Sequence, residues 1–238
     1  MMVINDVFYK HKKRYGYRRI TLDLKNKGYI INHKKVKRLM SKMNLYSPVR
    51  KAKYKSYKGT IGKIASNILQ RDFRANKPNA KWVTDVTEFH IPNGKVYLSP
   101  ILDLFNREIV SYSVSTNPSF NQTKEMIDKA FINRNLKNCI LHSDQGWQYQ
   151  MIPYQKWLKE KGIIQSMSRK GNCLDNSVME NFFGIMKSEF FYGHEYEFKT
   201  TDQLISSIHE YINYYNNDRI KTNLKGMSPV QYRLHSFN

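Results

Sequence analysis

The sequence predicts a mixed α/β domain, a five-stranded sheet flanked by helices, preceded by a small all-α basic module. Three observations carry this. Three β-like runs separated by tight turns fill the stretch from Trp82 to Val114. From Asn121 onward, helical and extended patterns alternate. Residues 1–60 hold 18 basic and 2 acidic residues, net +16, whereas residues 61–238 are close to balance at net +5.

In the front segment, Asn5 to Lys13 and Tyr17 to about Asn26 have helical character. A turn at Tyr15-Gly16 separates them, and Gly28 closes the second, as glycine does just past a helix. Asn32 is placed to cap a third helix running through Met43. There Val36, Leu39, Met40 and Met43 fall at i, i+3, i+4 and i+7 and form one apolar stripe. Lys34, Lys35, Lys37, Arg38 and Lys42 lie largely off it. Short helices with a glycine-containing turn and a basic last helix form a helix-turn-helix-like pattern. An ordinary helical hairpin with a solvated basic face is the competing reading. The predicted organisation is a helix-turn-helix-like basic module over 1–45, a basic linker over 46–72, a catalytic core over 73–198 and a helical extension over 199–238. In the core, Trp82 to Phe89, Lys95 to Leu102 and Glu108 to Val114 make an antiparallel meander turning at Pro92-Asn93-Gly94 and Asn106-Arg107. Helices over Asn121–Asn133, Ile152–Lys161 and Asn176–Phe191 then alternate with strands over Cys139–His142 and Ile163–Ser166. A meander followed by α-β-α-β-α is a sheet of ribonuclease-H type.

Composition bounds the function. The chain of 238 residues has 40% hydrophobic and 13% aromatic residues, enough for a packed core. No apolar run approaches the roughly 18–20 residues that span a bilayer. The start, MMVINDVFYKHKK, lacks the apolar stretch of a signal peptide, so a soluble, cytoplasmic, nucleoid-associated protein is expected. Cys139 and Cys173 lack metal-site spacing and read as reduced thiols. A net charge of +21 implies a polyanionic partner but does not distinguish DNA from RNA.

Three carboxylates stand out. Asp85 lies inside the first strand, where a charge facing a sheet interior is unfavourable unless it is paired or binds a metal. Asp144 lies where the fourth strand stops, the usual ligand edge of an α/β sheet. Glu180 lies early in a helix opened by Asp175-Asn176, with 35 residues between it and Asp144. A lone aspartate at a strand end is more often a cap or turn residue; the three together are more specific. Attack on a phosphodiester needs an oxygen nucleophile deprotonated and a leaving oxygen stabilised. Two divalent ions roughly 4 Å apart serve both ends of such a displacement. Mg²⁺ takes hard oxygen ligands and keeps several waters, so two or three carboxylates suffice. His142 and Ser143 read as orienting the Asp144 loop, because a Ser-His hydrolase would need an orienter and an oxyanion hole that the sequence does not show. Trp147 and Tyr149 fit either base stacking or a core or lid role.

The stretches YGYRRI, NHKKVKRLM, WVTDVTEF, YLSPILDLFNREIVSYS, HSDQGWQY, QSMSRKGNCLDNSVMENFF and YYNNDRIKTNL…SP resemble the integrase-type transposases of bacterial insertion sequences, the class encoded in a second reading frame and related to retroviral integrases. The resemblance runs from about Phe8 to Tyr232. It implies a ribonuclease-H-like catalytic core behind a helix-turn-helix-like segment. It places the catalytic, metal-binding triad on Asp85, Asp144 and Glu180, and a DNA-contacting lysine on Lys187. It implies Mg²⁺, with Mn²⁺ able to substitute and two ions held when DNA is bound. It also implies double-stranded DNA as substrate, a homo-oligomer on that DNA, and action fused to or together with an upstream-frame DNA-binding protein. Cleavage would expose 3′-hydroxyls at the element's ends and join them to DNA, for relatives through a circular intermediate. Glu180, Gly184 and Lys187 fall at i, i+4 and i+7, on one helix face. The basic loop Ser168–Asn172 would lie beside the site, adding Arg169 and Lys170 as DNA contacts to Arg18, Arg19, Lys34, Lys35, Lys37 and Arg38 of the front module. Asp103 falls outside the triad and reads as structural. Two other functions compete with strand cleavage and transfer. One is a non-catalytic DNA-binding regulator or remnant, against which the intact triad argues. The other is a structure-specific nuclease of the same fold, against which the basic module argues.

Overall fold

The computed structural model describes residues 1–48, 64–117, 120–132, 134 and 136–236, with the backbone alone at 120–122 and 173. Most of the predicted linker, residues 49–63, lies outside the described residues. The front module consists of α1 (Met2–Lys10), α2 (Tyr17–Asn26) and α3 (His33–Lys42). Asn32 caps α3, its side chain accepting from the Lys34 N–H at 2.8 Å. Gly28, at φ +86°, lets the chain leave α2. Val36 and Met40 are buried on the apolar stripe, and Lys34, Lys35, Lys37 and Arg38 are exposed.

The sheet contains β1 (Lys81–Thr84), β2 (Thr87–Ile91), β3 (Gly94–Asp103), β4 (Ile109–Ser115), β5 (Ile140–Ser143) and β6 (Ile164–Met167). Six hydrogen-bonded segments occupy five positions, because β1 and β2 both pair antiparallel with β3 in one continuous register: Thr84 faces Ile101 and Thr87 faces Leu98. The order is therefore β4-β3-(β1/β2)-β5-β6, with β1, β5 and β6 mutually parallel. This is the mixed five-stranded sheet that the sequence predicts, with its first strand interrupted at Asp85-Val86. The interruption has a local cause. Leu104 donates its N–H to Lys81 O, and alternation along β3 turns the nitrogen of Pro100 the same way, toward the position of Asp85. Proline has no N–H to give, so the ladder lapses there.

Side chains alternate across the sheet and build a core on each face. On one, Val83, Phe89, Leu98 and Leu102 meet Phe182, Phe183 and Met186 of α7 (Ser177–Met186) and Leu204, Ile208 and Tyr211 of α8 (Thr201–Asn217). On the other, Trp82, Ile101 and Leu141 meet Met126 and Ile127 of α4 (Phe120–Phe131) and Tyr154 and Leu158 of α6 (Ile152–Glu160), which follows the short α5 (Trp147–Gln150). The chain ends on α9 (Pro229–His235), opened by a reciprocal capping box between Ser228 and Gln231. Among the described residues, no helix is long and apolar enough to cross a membrane.

The single long helix expected over Asn176–Phe191 is three pieces: a 3₁₀ turn (Cys173–Asn176), α7, and a π-turn (Lys187–Phe191) in which the Tyr192 N–H reaches back to Lys187 O at 2.7 Å. The π-turn carries Glu189 inward. Arg219, 1% exposed, clasps it with both Nε and Nη2, the shortest contact being 2.6 Å. The Tyr211 hydroxyl donates to the same carboxylate at 2.9 Å, and Arg19 of α2 approaches to 3.6 Å. Arg14 donates to the Glu189 carbonyl at 3.3 Å. Ile220 closes the apolar core of the front module. The basic front is thus packed onto the body by a buried ion network and shared apolar contacts.

Removing one member of a buried ion pair strands the other, at a cost of about 3 kcal/mol. Glu189→Gln should lower the unfolding free energy by roughly that amount in urea denaturation. A variant as stable as the parent would show that the network does not hold the two parts together.

Candidate active site

Parallel pairing of β1 with β5 sets Val83 level with His142. Continuing that register by two residues sets Asp85 level with Asp144. Neighbouring strands lie about 4.8 Å apart, so the two aspartates leave the sheet side by side where both ladders end. The Asp85 carboxylate is 4% exposed. Its Oδ1 accepts from the Val86 N–H at 2.7 Å and its Oδ2 from the Asn176 side-chain amide at 3.1 Å. Asp144 Oδ1 accepts from the Gly146 N–H at 2.9 Å. Glu180, half-buried in the first turn of α7, comes near enough for its charge to act on Asp85.

Burial, and then the charges of Asp144 and Glu180, push the Asp85 carboxyl well above the usual range, against the pull of the Val86 N–H. Burial likewise raises Asp144, against the Gly146 N–H. The bonded partners of Asp85 are neutral amides, so its charge is not cancelled by them. Among the described residues, no three His, Cys, Asp or Glu groups form a ready metal cluster. The donor set nonetheless suits a hard cation: two adjoining carboxylates held high, a third alongside, and the buried Asn176 Oδ1 without a hydrogen-bond partner.

Sequence reasoning missed the surroundings. Asp175 and Asn176 read only as a helix opening, yet both organise the site. Asp175 is fully buried and accepts from the Arg169 backbone, the Arg169 guanidinium, Arg71 and Asn67, which ties down the 168–175 loop. The Arg169 hydrogen bonds hold its carboxyl far below the usual range. Asn176 braces Asp85. Tyr149 is fully buried beneath the carboxylates, 3.5 Å from the Thr84 hydroxyl, whereas Trp147 is exposed. His142 lies between Ser166 and Ser168 at 2.8 and 3.2 Å, anchoring β5 to β6. Asp103 accepts from the Asn79 and Phe105 N–H groups and closes the end of β3, a structural task.

The cations expected to meet DNA separate into two groups. Arg18, Lys34, Lys35, Lys37, Arg38 and Lys170 are exposed. Tyr17, His33, Lys34, Lys37, Arg38, Ser41 and Lys42 line a shallow groove of about 710 Å³ along α3. The others make hydrogen bonds or ion pairs within the chain, Arg169 while remaining exposed. Arg169 is held by Asp175, and Arg19 is turned inward toward Glu189. Lys187 does not stand free beside Glu180. It is buried at the start of the π-turn, donates to Glu88 O at 2.6 Å and lies 5.0 Å from the Phe89 ring centre. Burial brings its pKa down to about 8.

Residues 75–173 and 180–237 each match the integrase core domain, and residues 1–53 match a helix-turn-helix-like domain. A protein of Escherichia coli K12, assigned as the InsK transposase for insertion sequence element IS150, is 52% identical over 98% of this chain and 82% of its own length. The chain belongs to the integrase/transposase core family. With membership comes a DNA-acting catalytic function of the transposase and integrase type. A transposase-like protein of Haemophilus influenzae is 56% identical over 87% of this chain and 95% of its own length. In fold, the family resemblance extends to the HTLV-2 integrase catalytic core solved in complex with magnesium, at TM-score 0.54 and 20% identity, covering 67% of this chain and 99% of that one.

Because the folded protein holds Asp85 above its unfolded pKa, ionising it costs stability. The cost is absent below the ordinary carboxylate range and grows as pH rises through the raised value. At neutral pH and without divalent ions, Asp85→Asn should therefore raise the melting midpoint of the fold. Mg²⁺ should raise the melting midpoint of the parent but not of the variant. A variant that melts below the parent would contradict an uncompensated charge at Asp85.

Proposed function

We propose that this chain cleaves DNA strands at the ends of an insertion sequence and joins the freed ends to DNA, with Asp85, Asp144 and Glu180 as the carboxylates of the reaction. The observation that carries this reading is the register of β1 and β5, which sets the buried Asp85 beside the half-buried Asp144 where both strands end, with Glu180 on the helix alongside. Asp85, Asp144 and Glu180 would hold Mg²⁺, or Mn²⁺ in its place, with two ions when DNA is bound. That metal would stabilise charge on the attacking and leaving oxygens of an in-line displacement. The magnesium of the HTLV-2 core, a protein of the same fold, supports this choice.

In the first step a water oxygen bonds to phosphorus, the bond to the 3′ oxygen breaks, and a 3′-hydroxyl is left on the element. In the second step that 3′ oxygen attacks a target phosphodiester and displaces another 3′ oxygen. The chain's own part is placement. The Val86 and Gly146 N–H groups and the Asn176 amide fix the aspartate oxygens before substrate arrives. The exposed face of α3, with Lys34, Lys35, Lys37 and Arg38, and the outward Arg18 and Lys170 meet phosphates of the duplex.

Asp85→Asn, Asp144→Asn and Glu180→Gln should each reduce strand cleavage and joining of labelled element-end oligonucleotides to background in Mg²⁺, while duplex affinity in a gel-shift assay stays within about threefold. A folded triad variant that still joins ends would sink the assignment.

A further inference from the structure

A second polar cavity, of about 440 Å³, lies beside α7 and away from the carboxylates. Four cations line it: Arg19 from α2, Arg107 from the turn between β3 and β4, and Arg219 and Lys221 from the segment after α8. Ser177 and Asn181 of α7 form another wall, and the exposed Thr222 and Asn223 also line it. Among the described residues, none of its lining is acidic. Of these cations, Arg219 and Arg19 share a carboxylate, Glu189, which Arg219 engages with both Nε and Nη2.

Charge and donors are left over. Arg107 Nη1 and Arg19 Nε are buried with no hydrogen-bond partner. Lys221 is held by the Tyr215 hydroxyl at 2.8 Å and by the Tyr215 ring at 4.3 Å. Burial, and then the charges of Arg219, Arg19 and Arg107, push its ammonium well below the usual range. Leaving a buried guanidinium N–H without an acceptor is costly, and one such N–H on each of two arginines, grouped with Arg219 and Lys221, suits an incoming anion. Guanidinium groups present paired N–H donors that match the oxygens of a phosphate.

We infer that this cavity is a phosphate-binding site that seats one backbone phosphate of a DNA strand on the flank of α7 away from Glu180. At about 100° per residue, Ser177, Asn181 and Ile185 centre roughly 100° or more around the helix from Glu180. A strand gripped here is therefore a different stretch of DNA from the one at the carboxylates. The inference rests on the reading of the chain as DNA-acting.

The test uses the full chain. The salt dependence of binding to a duplex oligonucleotide is measured for the parent, for Arg107→Gln/Lys221→Gln, and for Asn223→Glu, which brings a carboxylate into the cavity lining at an exposed position and so spares the packing. Lys159→Gln, on exposed α6 surface, controls for loss of a charge elsewhere. Circular dichroism confirms folding. Both cavity variants should bind about tenfold more weakly, with the slope of log K against log salt shallower by about 0.9, the mark of one lost phosphate. The control should keep the parent slope. Folded cavity variants with parent slope and affinity would overturn the site. Calorimetry with inorganic phosphate distinguishes the source. Phosphate binding lost in the variants while their DNA slopes stay at the parent value would assign the cavity to a free anion and overturn the DNA assignment. A parent chain without salt-dependent duplex binding would instead overturn the DNA-acting reading, and this inference with it.

Discussion

The parallel register between β1 and β5 is the constraint on which the candidate site rests. A slip of one residue would send Asp85 and Asp144 to opposite faces of the sheet, since side chains alternate with a period of two. The register is held from both faces, by Trp82 and Leu141 in one core and Val83 in the other. Contacts of His142 with Ser166 and Ser168 in turn anchor β5 to β6. Pro100 then frees the strand at the required residue. Its missing N–H removes the ladder donor opposite Asp85, and beside this break the Val86 N–H donates to the Asp85 carboxylate. An interruption that would weaken an ordinary sheet here orients a buried charge.

A second constraint ties the basic front to the helix bearing Glu180. Glu189 extends that helix through the π-turn and meets Arg219, Tyr211 and Arg19 in one buried knot. The Tyr15 hydroxyl adds a bond to Asp218 O and takes the Ile220 N–H. The front module, the helix of Glu180 and the segment after α8 therefore share one set of partners.

Much of this was legible in the sequence, and the exceptions have physical causes. Strand alternation and the turn at Pro92-Asn93-Gly94 gave the meander, and the Asn32 cap and the Val36–Met40 stripe gave α3, because these are local signals. The three carboxylates stood out from their places inside the first strand, at the end of the fourth and early in a helix, although their closeness depends on pairing that no local signal encodes. Arg19, Arg169 and Lys187 look in sequence like any solvated cation. Their partners, Glu189, Asp175 and the Glu88 carbonyl, lie 170, 6 and 99 positions away, and only the folded chain brings the distant ones together. Asp175 and Asn176 were hidden by a simpler role, since Asp-Asn before a helix is already explained by helix initiation. The π-turn was invisible because such a stretch reads the same whether bonded groups are four or five positions apart.

That π-turn makes the chain sensitive to length at one place. A π-turn accommodates a residue that an α-helix of the same span would not hold. Deleting a single residue between Met186 and Glu189 would let α7 run on as regular helix and swing Glu189 by about 100° about the axis, out of the grasp of Arg219. Insertions and deletions are tolerated in most surface loops. In these few residues the count itself carries information, fixing the rotational phase between the helix of Glu180 and everything anchored to Arg219.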